Sequence, residues 1–347
     1  MTARVVTPDR VVGAIALVLA LAAPAYLSSY WVGTLLTQML FLGIVAASLI
    51  FLSAYGGMVS LAQVAIYGVA GFVVGNATTN GNTKGLNLGW NPWWGVLLGI
   101  AIAVAVAFLF GAIASRSIGI YFLMITLTYS VIANLTFGQV TDISGFGGIS
   151  GIPAPHLIGN VNAHAERLYY IALGVALAIY LLLRYLSRTP FGLTLQGVRD
   201  DPVRMSSLGY NVGLHRTAAF AFAGFVAAVG GVLFVWWNGH IDPASIDLGS
   251  TIDVLVIAVV GGLYRLEGAW VGALFFVVVQ NYSQQIGFIG PRFETLMGAI
   301  FLLILLVSPG GLVGLWERVV ALTFGRHRGP TDRDRNPIDV GQVEPSV

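Results

Sequence analysis

Long apolar runs separated by short polar stretches dominate this chain. Ten can be marked, at roughly 11–28, 34–53, 57–76, 93–115, 119–138, 168–187, 215–238, 251–264, 268–287 and 293–312. Most approach the roughly 20 residues an α-helix needs to cross about 30 Å of hydrocarbon at about 1.5 Å per residue. The pattern predicts an all-α fold, a polytopic membrane helix bundle of about ten transmembrane segments. The third run is rich in glycine and the eighth is short. Each is a candidate for a broken or re-entrant helix, tolerated only where protein or water covers the freed backbone.

Composition sharpens this picture. Of 347 residues, 57% are hydrophobic and 9% are charged, against about 25% charged in an ordinary soluble domain. A soluble fold of this size would lack the polar surface to stay dispersed. The 44 glycines suit helices that associate in lipid through small residues. The absence of cysteine excludes disulfides, thiol nucleophiles and cysteine metal sites. A net charge of +2 does not point to nucleic acid.

Lys and Arg in short loops are retained on the cytoplasmic side of a membrane. Alternating ten spans from a cytoplasmic N-terminus leaves only Lys84, Arg167 and Arg292 outside, and the other 14 of the 17 basic residues inside. Both termini then face the cytoplasm. The first run also has the look of a signal peptide, with Arg4 and Arg10 ahead of it and Ala23-Pro24-Ala25 near its end. Pro24 within the cleavage motif and the continuing apolar stretch favour a retained helix. Residues 1–324 are expected to form the membrane domain and 325–347 a polar, disordered cytoplasmic tail. Trp90, Trp93 and Trp94, at the end of an asparagine-rich external loop, read as an interfacial anchor, with a ligand-stacking platform as the alternative.

Enzyme signatures are missing: the sequence holds no G-x-x-x-x-G-K-[ST], no H-E-x-x-H and no G-x-S-x-G. His156, His164, His215, His240 and His327 show no ligand spacing on one helix face. Ion-coupled carriers place ionisable groups within their spans. Here Asp253 and Arg216 are expected near span ends, Arg265 and Glu267 in one cytoplasmic turn, and Arg292 and Glu294 beside an external one. An ion-coupled secondary transporter is therefore the weaker reading, and the driving force is expected from a partner.

Two stripes recur every four residues, Thr126, Ser130, Asn134 and Gly138 on the fifth run and Gln63, Tyr67, Gly71 and Gly75 on the third. Each follows one helix face. They are candidates for a translocation path, with Gln63 and Asn134 foremost, or else packing seams joined by hydrogen bonds, which is the preferred reading. Gln280, Ser283 and Gln284 near the end of the ninth run suggest a vestibule or simple contact with water.

The longest internal cytoplasmic connection is 188–214. Asp201 followed by Pro202 is an N-cap with proline at the first helical position, and Gly209 supplies a stop. The short helix so bounded presents Val203, Met205 and Leu208 among Arg199, Asp200, Asp201 and Arg204, as expected of a helix seated in a partner's groove. A surface helix on lipid headgroups is the alternative.

Here the sequence resembles a known family. Thr189-Pro190-Phe191-Gly192, leading to Val198-Arg199-Asp200-Asp201-Pro202-Val203-Arg204-Met205-Ser206-Ser207-Leu208-Gly209-Tyr210-Asn211, is similar to the coupling loop of branched-chain amino-acid ABC transporter permeases. Gly56-Gly57-Met58-Val59-Ser60-Leu61-Ala62-Gln63, Gly119-Ile120-Tyr121-Phe122-Leu123-Met124-Ile125-Thr126-Leu127, Gly145-Phe146-Gly147-Gly148-Ile149-Ser150-Gly151-Ile152 and Val260-Gly261-Gly262-Leu263 agree in order along the chain. Arg204 and Met205 depart from the paired alanines often found there.

The resemblance implies a multi-pass subunit of the bacterial cytoplasmic (inner) membrane, assembled with a second, related permease, two ABC ATPases and an extracytoplasmic solute-binding protein. ATP and Mg would be used by the partner ATPase, with no cofactor bound by this chain. The implied cargo is a branched-chain or other small neutral amino acid, with urea, short amides or sugars as alternatives.

Overall fold

A computed structural model describes residues 8–80, 85–155, 159, 165–285, 292–308 and 310–316. The expected tail, 325–347, lies outside the described residues, as does part of the asparagine-rich loop. In chain order the helices are α1 (Pro8–Tyr26), α2 (Thr37–Gly56, entered through a π-helical turn at Trp31–Leu36), α3 (Gln63–Thr78), α4 (Pro92–Ala114), α5 (Ile120–Gln139) and α6 (Ala165–Leu186). They continue as α7 (Pro190–Asp200), α8 (Pro202–Ser207), α9 (Val212–Asn238), α10 (Leu248–Gly261), α11 (Gly268–Gln285) and α12 (Phe293–Val307). Two short antiparallel strands, β1 (Ile149–Ser150) and β2 (His240–Ile241), pair Ile149 with Ile241 and Ser150 with His240.

The protein is a multi-pass helical membrane protein. Five helical stretches among the described residues are long and apolar enough to cross a bilayer: Trp31–Gly56, Pro92–Ala114, Ile120–Gln139, Glu166–Leu186 and Val212–Asn238. Three of the ten runs form shorter apolar helices, Gln63–Thr78, Leu248–Gly261 and Phe293–Leu306, the first two being the runs marked as candidates for broken helices. The third run is the clearest correction. Helix α2 ends at Gly57, whose φ of 65° closes the helix with Met58 N–H donating to the Leu52 carbonyl at 3.1 Å. The chain then runs without helix to Ala62, so α3 starts at Gln63 rather than near 57.

Burial sorts the helices into a centre and a periphery. The most apolar window of the α2 stretch is 78% buried and that of α9 is 67%, against 22% for α4 and 28% for α5. A helix apolar on all sides belongs inside protein or in lipid. Helices α2, α3 and α9 pack on one another at the centre, and α4 and α5 turn Leu97, Phe108, Leu109, Ile132 and Leu135 outward.

Helix α4 approaches that centre on one narrow face. Gly95, Gly99, Ala103, Ala107 and Gly111 recur every four residues and are all buried. A Cβ on Gly99 would lie 2.7 Å from Val74, and one on Gly111 2.9 Å from Phe220, so the stripe sits directly on α3 and α9. Close backbone approach supplies the attraction that water cannot supply in lipid.

The paired strands cap one end of α3. Ile246 abuts Gly68, Ile241 abuts Gly71, and Ile149 and Ile152 abut Gly75. The glycine half of the α3 stripe is therefore filled with isoleucine. Trp90, Trp93 and Trp94 are exposed at this same end, with the Trp93 ring edge-on to Trp236 at 6.3 Å.

Candidate functional site

At the opposite end of the bundle, segment 188–214 folds into two helices where the sequence predicts one. Thr189 caps α7 by accepting from Gly192 N–H at 3.4 Å, and Pro190 occupies its first position. Leu195 and Val198 on α7 are fully buried. Asp201 caps α8, its Oδ1 accepting from Arg204 N–H at 2.9 Å, and a φ of 88° at Gly209 ends the turn. Asn211 then caps α9 through Leu214 N–H at 3.0 Å. Three capped starts within 23 residues leave this connection little freedom to move independently of the bundle.

The predicted apolar face of α8 divides. Val203 and Leu208 are 74% and 67% exposed. Met205 is instead turned back on its own chain, its Sδ 2.8 Å from where a Cβ on Gly197 would sit. Arg204 stays near solvent and pairs with Asp201 at 3.6 Å. Arg199 also departs from the expectation of a side chain offered outward. Its guanidinium donates to the carbonyl oxygen of Ala54 and pairs with Asp200 at 2.8 Å, while its stem lies over Gly57. Asp200, 64% exposed at its side chain, and Pro202 complete this surface.

The α5 stripe is occupied by hydrogen bonds between elements. Thr126 Oγ1 accepts from Leu61 N–H at 3.2 Å, Ser130 shares a 2.8 Å hydrogen bond with Thr251 of α10, and Asn134 Nδ2 donates to the Pro243 carbonyl at 2.7 Å. On α3, Gln63 is 1% exposed and accepts from Ser48 Oγ of α2 at 3.2 Å. Tyr67 is placed differently, because it faces open space.

That space is an open cavity of about 200 Å³ bordered by α2, α3, α9, α10 and α11. Phe41, Phe234, Trp237 and Phe276 give it aromatic walls, and Val45, Val64 and Val254 add aliphatic ones. Tyr67 stands 5.3 Å from the Phe234 ring, and Trp237 Nε1 is held by the Gly33 carbonyl at 2.8 Å. Gln38 donates to Gln280 across the wall at 3.2 Å, so Gln280 joins α11 to α2 instead of only meeting water.

Asp253 also lines this cavity. As expected it stands near a span end, in the second turn of α10, half-buried. Asp242 and Asp247, close by in sequence, are engaged as caps for Ser245 and Ser250 N–H groups at 2.9 and 2.7 Å. Among the described residues Asp253 has no hydrogen bond or ion pair. Sequence reasoning missed it and Gln38 because nothing local distinguishes them; only the packing of α2 and α10 against α3 brings both to one wall.

Comparison with known proteins shows the family. Residues 32–306 match the family model described as branched-chain amino acid transport system / permease component. The high-affinity branched-chain amino acid transport system permease protein LivM of Salmonella typhimurium is 25% identical over 247 residues, 64% of this chain and 57% of LivM. The probable branched-chain amino acid transport permease protein LivH of Methanocaldococcus jannaschii is 26% identical over 162 residues, 44% of this chain and 49% of that protein. LivH of Salmonella typhimurium is 28% identical over 139 residues, 40% and 43% of the two chains. The matched region thus spans only 43–57% of the length of these relatives, and no solved structure matches the chain. With the family model covering most of its length, the chain belongs to the permease component family of branched-chain amino acid transport systems.

Proposed function

We propose that this chain is a pore-forming permease subunit of an ATP-driven importer for branched-chain or other small neutral amino acids. In this reading it crosses the bacterial cytoplasmic (inner) membrane ten times with both termini inside, α7 and α8 on the cytoplasmic side and the paired strands outside. A second, related permease completes the pore, an extracytoplasmic binding protein delivers the solute, and ABC ATPases hydrolyse Mg-ATP. Val203 and Leu208 are the contacts offered to the ATPase, and Arg199 passes the displacement of α7 to α2.

The observation that carries the substrate assignment is the cavity. Its aromatic and aliphatic walls suit a branched side chain, and the carboxylate of Asp253 beside Gln38 and Gln280 suits the ammonium end of an amino acid. A sugar or urea would leave that charge without a partner. Tyr67 therefore belongs to the path, while Gln63, Thr126, Ser130 and Asn134 hold its walls in register.

The test is reconstitution. Vesicles containing this chain, its partner permease and ATPases, given binding protein outside and ATP inside, are expected to accumulate leucine and not urea. Accumulation by this chain alone on a proton or sodium gradient would overturn the proposal.

A further inference from the structure

A second cavity, of about 260 Å³, lies at the α7–α8 end of the bundle between the turn after α2, the start of α5 and the start of α9. Gly57, Val59, Ser117, Gly119, Ile120 and Arg216 are among its lining residues, and no acidic side chain lines it. Arg216 is only 9% exposed, and its Nε is buried without a hydrogen-bond partner. No carboxylate pairs with it among the described residues. The fold therefore holds a cation with no carboxylate partner, and an anion beside it would be favoured.

The opposite wall points the same way. Helix α5 runs for 20 residues and begins at Gly119, which has φ 61° and offers no side-chain cap. Its first N–H groups have no acceptors within the helix and carry the positive end of the helix dipole. An orphaned arginine and an uncapped helix start facing one cavity make an anion-binding geometry. Two of the lining residues are apolar and face outward, Ile118 and Ile120, exposed by 67% and 68%. That rim suits the acyl chains of a lipid whose headgroup enters the cavity.

We propose that this cavity binds a phosphate group, that of an anionic membrane lipid, between Arg216 and the N-terminus of α5. Nothing in the proposal depends on which solute the protein carries. Arg116, exposed in the adjoining loop, adds positive charge at the entrance.

The full chain, delipidated in detergent and titrated with phosphatidylglycerol, is examined by native mass spectrometry, with glycerol 1-phosphate as a soluble competitor. The wild type should hold one phosphatidylglycerol that Arg216→Gln binds about tenfold more weakly, with Arg216→Lys intermediate. Ser117→Glu, which brings a resident carboxylate to the cavity and leaves Arg216 in place, should also expel the lipid. It serves as the decisive variant if Arg216→Gln fails to fold. Binding of glycerol 1-phosphate without any binding of phosphatidylglycerol would assign the site to a soluble phosphate and overturn its assignment to a lipid. Equal lipid binding by wild type and Ser117→Glu, or no binding of either phosphate by the wild type, would overturn the proposal.

Discussion

The guanidinium of Arg199 donates to the carbonyl oxygen of Ala54, fastening α7 to the C-terminal turn of the deeply buried helix α2. The joint is reinforced by the Arg199 stem over Gly57, where no larger residue fits and where φ is positive. A push on α7 or α8 is thereby delivered to a helix that also contacts α6, α9, α10 and α11. Rigid transmission of this kind is what alternating access requires of a motor-driven bundle. Arg199→Met keeps the stem and removes the donor. It should cost about 1.5–3 kcal/mol of stability and lower leucine uptake per ATP hydrolysed, read as the ratio of the two rates in reconstituted vesicles. An unchanged ratio would remove Arg199 from the transmission.

Val203 and Leu208 are the apolar groups that α8 leaves uncovered. If they seat in an ATPase, replacing either with aspartate buries a charge at the contact. Val203→Asp and Leu208→Asp should each weaken ATPase association by about tenfold or more. The readout is the amount of ATPase retained when the permease is affinity-purified from membranes. Met205→Asp should act instead on the fold of the loop, because Met205 packs on α7.

Gly209 closes α8 at a φ of 88°, with nothing within 4 Å of where its Cβ would be. A side chain there meets no neighbour, so the penalty is purely one of backbone conformation, about 1–2 kcal/mol for a residue with a Cβ. Gly209→Val is expected to loosen α8 and reduce solute-stimulated ATP hydrolysis while leaving the thermal midpoint of the bundle nearly unchanged. A large fall in that midpoint would show that Gly209 serves the fold and not the loop.

The sequence made some of these features readable and hid others, for reasons that lie in the physics. Asp201, Pro202 and Gly209 announce α8 because capping is a local matter decided within a few residues. Helix α7 escaped notice because its buried Leu195 and Val198 are few and its partners lie on α2 and α9, far away in sequence. The α5 stripe was visible as a face, but whether Thr126, Ser130 and Asn134 look into a cavity or onto a neighbour depends on where Leu61, Thr251 and Pro243 come to rest. The regular Gly and Ala positions of α4 were present in the sequence at four-residue spacing, as the α3 and α5 stripes were, and form a further packing seam of the same local kind.

That seam is open to direct test. Ala103 is fully buried on α4 in the middle of the stripe. Enlarging it pushes α4 away from α3 and α9, for which overpacking costs about 1–3 kcal/mol. Ala103→Leu should lower the thermal midpoint of the detergent-purified protein, whereas Ala101→Leu on the exposed face of the same helix should leave it unchanged. Equal effects of the two substitutions would mean that α4 does not pack through this face.

Asp253 and Asn134 are the pair on which the proposed solute contact can be tested against a wall-holding role. The Asp253 carboxylate faces the cavity without a hydrogen bond, so Asp253→Asn changes its charge while preserving its shape. Leucine uptake in the assembled transporter should show KM raised by about tenfold, the weight of one charge-assisted contact to an ammonium group. Asp253→Glu should recover part of the loss. Asn134 donates to the Pro243 carbonyl and does not line the cavity. Asn134→Ala should therefore lower the thermal midpoint, by the roughly 0.6 kcal/mol typical of one hydrogen bond within a membrane bundle, and leave KM where it was. If Asn134→Ala raises KM while Asp253→Asn does not, the path runs along α5 and the cavity between α2, α3 and α10 lies off it.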